Sequence, residues 1–436
     1  MNQTPYDHLP YRCQPIEWTA PERLALASRL HGGPAPDLRQ YRVLELGCGD
    51  GSNLLPLAYY RPRAEFFGID SAATQIDLAQ RRQAQLKQNN LTFLPLDFCQ
   101  ADDHLEGKFD FIIVHGVFSW VPDTVRDGLF VLCQKRLADN GLLYLNYNTK
   151  PGWNIRGMVR DYLLAHTGKA ATLQQRALQA QHAASKMAQL LSQPSQTSEV
   201  HPFSALLANE FQFVCDNHHS YVAHEFLAEH NKAYWRSEFM ALAEHYELYP
   251  IADADYNYPS GKVDAALPQQ LMNQQLTGQS LEDSVDLISY RQLHTPILSK
   301  QHAARPGMET SSLTDLHVAS CLQPVKPHWY QHPNGYQVEV KNPQLATALE
   351  RLFQRWPASA PISTILEPRQ SIMEDLLLLH NNGLVELRLP EAPCQPPDNT
   401  ALNPLNQQEL QWGGYYTTAN HQRVEAALHS VTAGHA

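Results

Sequence analysis

Residues 41–147 predict an α/β fold with a parallel sheet covered on both faces. The first observation is that short apolar runs alternate with helix-period segments over this stretch. The second is a glycine-rich turn that follows the first apolar run and precedes a helix. The third is the return of strand-like runs after a long helical interruption, which brings the expected Rossmann-like sheet to seven strands. VLEL (43–46), EFFGID (65–70), LTFLPLD (91–97), FDFIIVHG (109–116) and LLYLNYN (142–148) read as strands. AATQIDLAQRRQAQLKQNN and VPDTVRDGLFVLCQKRLADN read as helices, the second ended by an Asn140-Gly141 turn.

Upstream, 1–40 form an N-terminal cap with one helix in PERLALASRLHGG, closed by Gly32-Gly33. After the core at 41–154, the Ala-, Gln- and His-rich 155–230 predict a helical insertion covering the site. The helix near 232–245, the strand near 246–252 and a last strand near 291–298 assign 231–300 to a regulatory region completing the core. The Pro- and His-rich 301–340 read as a linker. Helix, short helix, helix and strand follow, so 341–436 predict a small winged-helix-like domain. Its arginines are matched by Glu350, Glu367, Glu374, Asp375 and Glu386, so it lacks the basic footprint that reading DNA requires.

Hydrophobic residues at 43% and charged residues at 18% fit an ordinary globular chain. No apolar stretch approaches the roughly 20 residues that span a bilayer, and no secretory signal is visible. Seven scattered cysteines without a CxxC pair fit reduced thiols, hence a cytoplasmic location. The formal net charge of −11 disfavours nucleic acid as a partner and tolerates a basic one. A homodimer is one admissible assembly. His224, Glu225 and His230 give HExxxxH, which does not place two imidazoles on one helical face, so no metal is expected.

Glu45-Leu46-Gly47-Cys48-Gly49-Asp50-Gly51 lets a ligand approach backbone amides at a helix N-terminus. Glu45 would oppose a pyrophosphate but suits a ligand carrying an ammonium and a sulfonium. Asp70 ends the next strand, 23 residues beyond Gly47, where a carboxylate accepts ribose hydroxyls. Asp97 and Phe98 end the third strand, an acceptor beside an aromatic face for adenine. This set points to S-adenosylmethionine (SAM), with S-adenosylhomocysteine as product, and so to a class I methyltransferase sheet, which ends in an antiparallel pair and implies the order 3-2-1-4-5-7-6. The expected cofactor site comprises Tyr11, Glu45, Gly47, Gly49, Asp50, Asn53, Asp70, Ser71, Gln75, Asp97, Phe98, His115 and Gly116.

YDHLPY, VLELGCGDGSNLLPLA, FFGIDSAATQI, FDFIIVHGVFSWVP and YNTKPGWNIRGMVRDYLLAH resemble the bacterial methyltransferases that carry a methyltransferase regulatory domain. Among these are the rickettsial outer-membrane-protein lysine methyltransferases. The resemblance is dense over 5–166 and thins beyond, and the HGVxSWVP and YNxxPGW motifs are its specific part. Lys150 stands where the family usually has an aromatic, which sets a cation beside the presumed substrate entrance.

Methyl transfer is an in-line displacement, favoured by oriented proximity, and its residues belong at the strand ends beside the sulfonium. Tyr147 and His115 are the candidates for positioning or proton acceptance. Phe118, Trp120, Asn148 and Trp153 are expected to form the substrate slot, its rings attracting a methylammonium. The leading function is N-methylation of protein lysines. The alternatives are O-, N- or C-methylation of a small molecule or peptide, and a non-catalytic SAM-binding regulatory module.

Overall fold

The computed structural model describes residues 4–168, 172–193, 202–255, 266–304, 310, 313–367, 369–392 and 403–425. Its centre is a seven-stranded sheet. β1 (Arg42–Leu46), β2 (Glu65–Asp70), β3 (Leu91–Pro95), β4 (Phe109–Val114) and β5 (Leu137–Leu145) run parallel. β6 (Tyr249–Asp253) and β7 (Pro296–Ser299) complete it, with β7 antiparallel to both β5 and β6. The order is therefore the expected 3-2-1-4-5-7-6.

Strand residues alternate between faces, and here both faces are apolar. Val43, Phe111, Ile113 and Tyr144 pack on the side of α1 (Pro21–Leu30) and α2 (Leu54–Tyr60). Leu44, Leu46, Ile112, Val114, Leu143 and Leu145 pack on the opposite side. α3 (Ala73–Leu86) and α4 (Asp123–Arg136) are the next two crossovers. α4 stops before the anticipated Asn140-Gly141 turn, because fully buried Leu137 is drawn into β5 opposite Phe109. The register then jumps to Phe111 opposite Leu142, so Ala138–Gly141 form a bulge in the strand.

Four helices follow the fifth strand as expected: α5 (Lys150–His166), α6 (Leu173–Leu191), α7 (Pro202–Asp216) and α8 (His219–Phe226). Ala177, Ala180, Ala184 and Ala188 make a small-residue stripe on α6. It admits close packing of Phe211, Val214, Val222 and Phe226 from the two helices that follow. α9 (Arg236–His245) then leads back into β6.

The stretch 301–340 is not a linker. His317–Ala319 is the middle strand of an antiparallel sheet with Ala360–Pro361 and Glu386–Arg388. Residues Gln323–Lys326, Trp329–Gln331 and Gln337–Glu339 form a second small sheet. Leu313, Leu316, Leu322 and Tyr330 are buried in the same core as Leu345, Leu349 and Leu352, which explains why their prolines and histidines misled. The anticipated helices occur at Pro343–Arg355, Ile362–Ile365 and Gln370–Asn381. A final helix, Pro404–Gly413, and the hairpin Tyr415–Thr417/Arg423–Glu425 return to α2, whose Tyr60 donates to the Thr417 carbonyl at 3.0 Å. Among the described residues no helix is long and apolar enough to cross a membrane.

The cap is fastened by a buried ion pair. Arg61, just after α2, grips Glu22 of α1 through two 2.7 Å bonds, with side chains 5% and 8% exposed. Removing one partner strands a buried charge at a cost of about 3–5 kcal/mol. Arg61→Leu should lower stability to urea by about that much, whereas Glu22→Leu with Arg61→Leu should recover most of it; equal losses in both variants would contradict this role.

Candidate active site

The crevice lies at the C-terminal ends of β1, β2 and β4. After β1 the backbone turns left-handed at Gly47, Gly49 and Gly51, with φ of +82°, +52° and +76°. A Cβ on Gly47 would lie 2.4 Å from Val117, and one on Gly49 would lie 2.5 Å from the Cys13 sulfur. The loop is thus pressed between the N-terminal cap and the turn after β4.

Glu45 ends β1 with its carboxyl buried. Its Oε1 accepts from Asn53 Nδ2 at 2.9 Å, while Oε2 is buried with no partner among the described residues. Burial pushes this carboxyl up to about 8. Asn53 also donates to Thr19 Oγ1 at 3.1 Å, and its Oδ1 accepts from the Ile16 amide at 2.9 Å and His421 Nε2 at 2.7 Å. Asp70 accepts from the Gly49 and Ala72 amides at 2.9 and 2.8 Å, and burial raises it. Phe98 sits beside Gly47, and exposed Asp97 accepts from the Cys99 amide at 2.9 Å. Ser71 is half-buried beside Asp70, and buried Gln75 reaches the Tyr11 carbonyl at 3.5 Å.

Beyond β4, Gly116 has a φ of +68° and no atom within 4 Å of where a Cβ would stand. Its amide donates to Asn146 Oδ1 at 2.7 Å. His115 Nδ1 is 2.8 Å from the Tyr144 hydroxyl, which accepts from Trp18 Nε1 at 2.9 Å. The wholly buried Tyr144 is fully satisfied when its proton goes to Nδ1, which leaves His115 as the Nε2–H tautomer. Burial lowers His115 to about 4, so it is a neutral donor.

A family profile described as a methyltransferase domain matches residues 44–143. The chain is 35% identical over 254 residues to an uncharacterized protein of Rickettsia prowazekii, covering 58% of this chain and 45% of that one. It is 31% identical over 243 residues to a second uncharacterized protein of the same organism, covering 56% of this chain and 95% of that one. Thus it spans under half the first relative and nearly all of the second. PKMT2 of Rickettsia typhi in complex with AdoHcy shares the fold at a TM-score of 0.80 and 21% identity, over 95% of this chain and 86% of that one. The chain belongs to the class I SAM-dependent methyltransferases.

The methyltransferase crevice gathers Glu45, Gly47, Gly49, Asp70, Phe98, His115 and Gly116, but several expected site residues support it from behind. Asp50 is taken up by Arg82 at 2.7 Å and by Ser52, and all four hydrogen-bonding positions of Asn53 are used within the protein. Phe118 is fully buried among Phe130, Tyr234 and Phe239, so it is core and not a slot wall. Tyr147 is likewise core: its ring stacks on Phe239 at 3.9 Å, and its hydroxyl is buried without a partner among the described residues. Burial drives that phenol far above its ordinary range, which disqualifies it as a proton acceptor.

Trp120 and Trp153 do meet, edge to face at 5.4 Å. Asn148 is buried, its amide donating to Ser119 Oγ at 2.9 Å and its Nδ2 unpartnered among the described residues. Lys150 turns to Glu238 at 2.5 Å, and Arg156 to Glu210 at 2.9 Å. Tyr11 packs near Tyr221 and His224, with ring centroids 6.4 and 5.9 Å away. The sequence reading missed Asn146, Tyr144 and Trp18, although Asn146 follows Tyr144 by two positions, the spacing of one sheet face. It also missed His421, which no local pattern connects to Asn53.

An unsatisfied buried hydroxyl costs about 1–3 kcal/mol. Tyr147→Phe should therefore raise the thermal midpoint and leave turnover within about twofold of the parent. A loss of turnover with unchanged SAM affinity would return Tyr147 to the reacting atoms.

Proposed function

We propose that this methyltransferase N-methylates lysine side chains of a protein. The observation that carries the reading is the fate of the cations at the entrance. Lys150, which would repel a lysine, is turned away onto Glu238, and Arg156 is engaged by Glu210. The rings expected there, Tyr11, Trp120 and Trp153, bring no further cation, and Glu45 and Asp70 supply acidic groups at the strand ends. Such an environment suits a cationic acceptor. The resemblance of the HGVFSWVP and YNTKPGW segments to rickettsial lysine methyltransferases supports the same substrate class.

The crevice fits SAM, which supplies a methyl group on a positively charged sulfur. The unpartnered Oε2 of Glu45 is placed to accept from an ammonium. Asp70 keeps lone pairs for two ribose hydroxyls after binding the Gly49 and Ala72 amides. Asp97 and Phe98 take the adenine, with Ser71, Gln75 and Tyr11 around the nucleoside. The open face of Gly116 takes the methionine portion. His115, with its proton on Nε2, orients a partner by donating to it and does not take the acceptor's proton. Asn148 offers its unpaired Nδ2 hydrogens to the substrate.

Asp70→Ala loses two bonds from a charged acceptor, each about 1.5–3 kcal/mol. Calorimetry should find SAM affinity reduced about a hundredfold or more, and an unchanged affinity would sink the cofactor assignment. For the acceptor, purified protein incubated in lysate with methyl-labelled SAM should place label on lysine Nζ by mass spectrometry. Label on oxygen, carbon or a free small molecule would overturn the lysine reading and leave the methyltransferase intact.

A further inference from the structure

His294 is 4% exposed and has a carboxylate on each side of its ring. Its Nδ1 is 3.1 Å from Asp253 Oδ2 at the end of β6, and its Nε2 is 2.7 Å from Asp286 Oδ2 on the helix Gly278–Ile288. A neutral imidazole has one N–H and one lone pair, so one of these contacts would set lone pair against lone pair. A second ring proton satisfies both carboxylates. Imidazole keeps that proton, since its ordinary pKa is about 6.5 against about 3.9 for an aspartate. The neighbouring charges point the same way. Arg236 of α9 pairs with Asp253 at 3.3 Å and with Glu282, and Arg291 pairs with Asp255 at 3.4 Å. Asp255 also accepts from Thr295 Oγ1 at 2.7 Å, Asp283 accepts from the Ser237 hydroxyl at 2.6 Å, and the Tyr147 ring lies 5.6 Å from the imidazole. Burial alone lowers the imidazole pKa, but Asp253 and Asp286 outweigh it and hold His294 above its ordinary range.

The chain that carries His294 also frames the YNTKPGW segment. Leu293–His294 pairs antiparallel with Tyr147–Asn148, with His294 opposite Tyr147. Just upstream, the Gln292 carbonyl accepts from the Thr149 amide at 3.0 Å, and the Arg291 carbonyl from the Gly152 amide at 2.9 Å. A Cβ on Gly152 would lie 2.7 Å from that Arg291 oxygen, so the two chains meet there without clearance. Asn148 and Trp153 thus take their places from residues 291–294, which His294 fastens to β6 and to the helix Gly278–Ile288. Losing the ring proton removes one of its two charge-assisted bonds and turns a lone pair toward a buried carboxylate. The clamp therefore contributes in full below about pH 6.5 and fades as pH rises through the raised value of the folded protein.

We propose that His294 is a positioning residue for methyl transfer: as an imidazolium clamped between Asp253 and Asp286, it holds the Tyr147–Trp153 segment in place beside the acceptor. This rests on the placement of Asn148 and Trp153 at the acceptor in the reading above. Amide hydrogen exchange, read by mass spectrometry and corrected for intrinsic rates, follows the segment without any acceptor. In the parent, protection of residues 147–153 should fall about fivefold or more between about pH 6.5 and pH 9, while residues 45–53 stay within about twofold. His294→Gln, which keeps amide donors but carries no charge, should exchange about tenfold faster at 147–153 at the lower pH and lose the pH dependence. Asp286→Asn should move the midpoint of that dependence down by about one pH unit or more, a shift that a merely space-filling histidine would not give. Affinity for S-adenosylhomocysteine within about twofold of the parent in both variants verifies a folded crevice. With methyl-labelled SAM in lysate, His294→Gln should transfer about tenfold less label to protein. Protection at 147–153 that ignores pH in the parent, or is unchanged in His294→Gln, would overturn the clamp. Full label transfer by His294→Gln despite faster exchange would overturn the positioning role. Methyl label on a non-lysine acceptor, with exchange still governed by His294, would refute the lysine reading while leaving the clamp standing.

Discussion

The side-chain amide of Asn53 holds the crevice in shape. Its two hydrogens go to Glu45 and Thr19, and its two lone pairs take the Ile16 amide and His421. No valence is left over, so the amide can sit in only one orientation. Through it the end of β1, the N-terminal cap and the C-terminal hairpin share one buried point. Bonds of this kind contribute roughly 0.5–1.5 kcal/mol each, more where a carboxylate is involved, and a fully satisfied buried network is stiffer than its members alone. The hairpin is fixed again by Tyr60 to the Thr417 carbonyl, and the helix before it by the Arg82 guanidinium over Trp412 at 4.9 Å. A segment some 370 positions away in the chain thereby becomes part of the floor beneath the glycine loop.

The electrostatics of the site follow from that construction. Holding Glu45 by one oxygen in a dry environment leaves the other oxygen unsatisfied, and a second buried carboxyl, Asp70, stands nearby. The charge of Asp70 adds to the burial that raises Glu45. The histidines close to them, His115 and His421, are held neutral by burial, so neither supplies a compensating charge. A crevice of this kind lowers its energy by taking up a positive ligand. SAM, with its ammonium and sulfonium, is such a ligand.

Much of this was legible in the sequence because it is local. Short apolar runs placed the strands, the glycines placed the loop, and a carboxylate at the end of β2 needs only its own strand to be positioned. The order of the last two strands was legible through the class I methyltransferase fold that the cofactor loop implied. What escaped was non-local. An aromatic residue at a strand end reads alike whether it turns into the core or toward a ligand, and neighbours from α9 decide this for Phe118 and Tyr147. Asn53 looked like a ligand contact because its partners come from three distant segments. Proline and histidine in 301–340 suggested a loop, yet the strand His317–Ala319 gains its stability from pairing with segments far downstream.

Burial favours a protonated Glu45, which ionises when the ammonium of SAM binds beside it. Calorimetry of SAM binding at pH 7, in buffers of different ionisation enthalpy, tests it directly. The account requires the observed enthalpy to vary with buffer as a proton is released on binding, and requires that variation to shrink in Glu45→Gln. A binding enthalpy independent of buffer in the parent protein would show that Glu45 is already ionised, and the account would fail at its base.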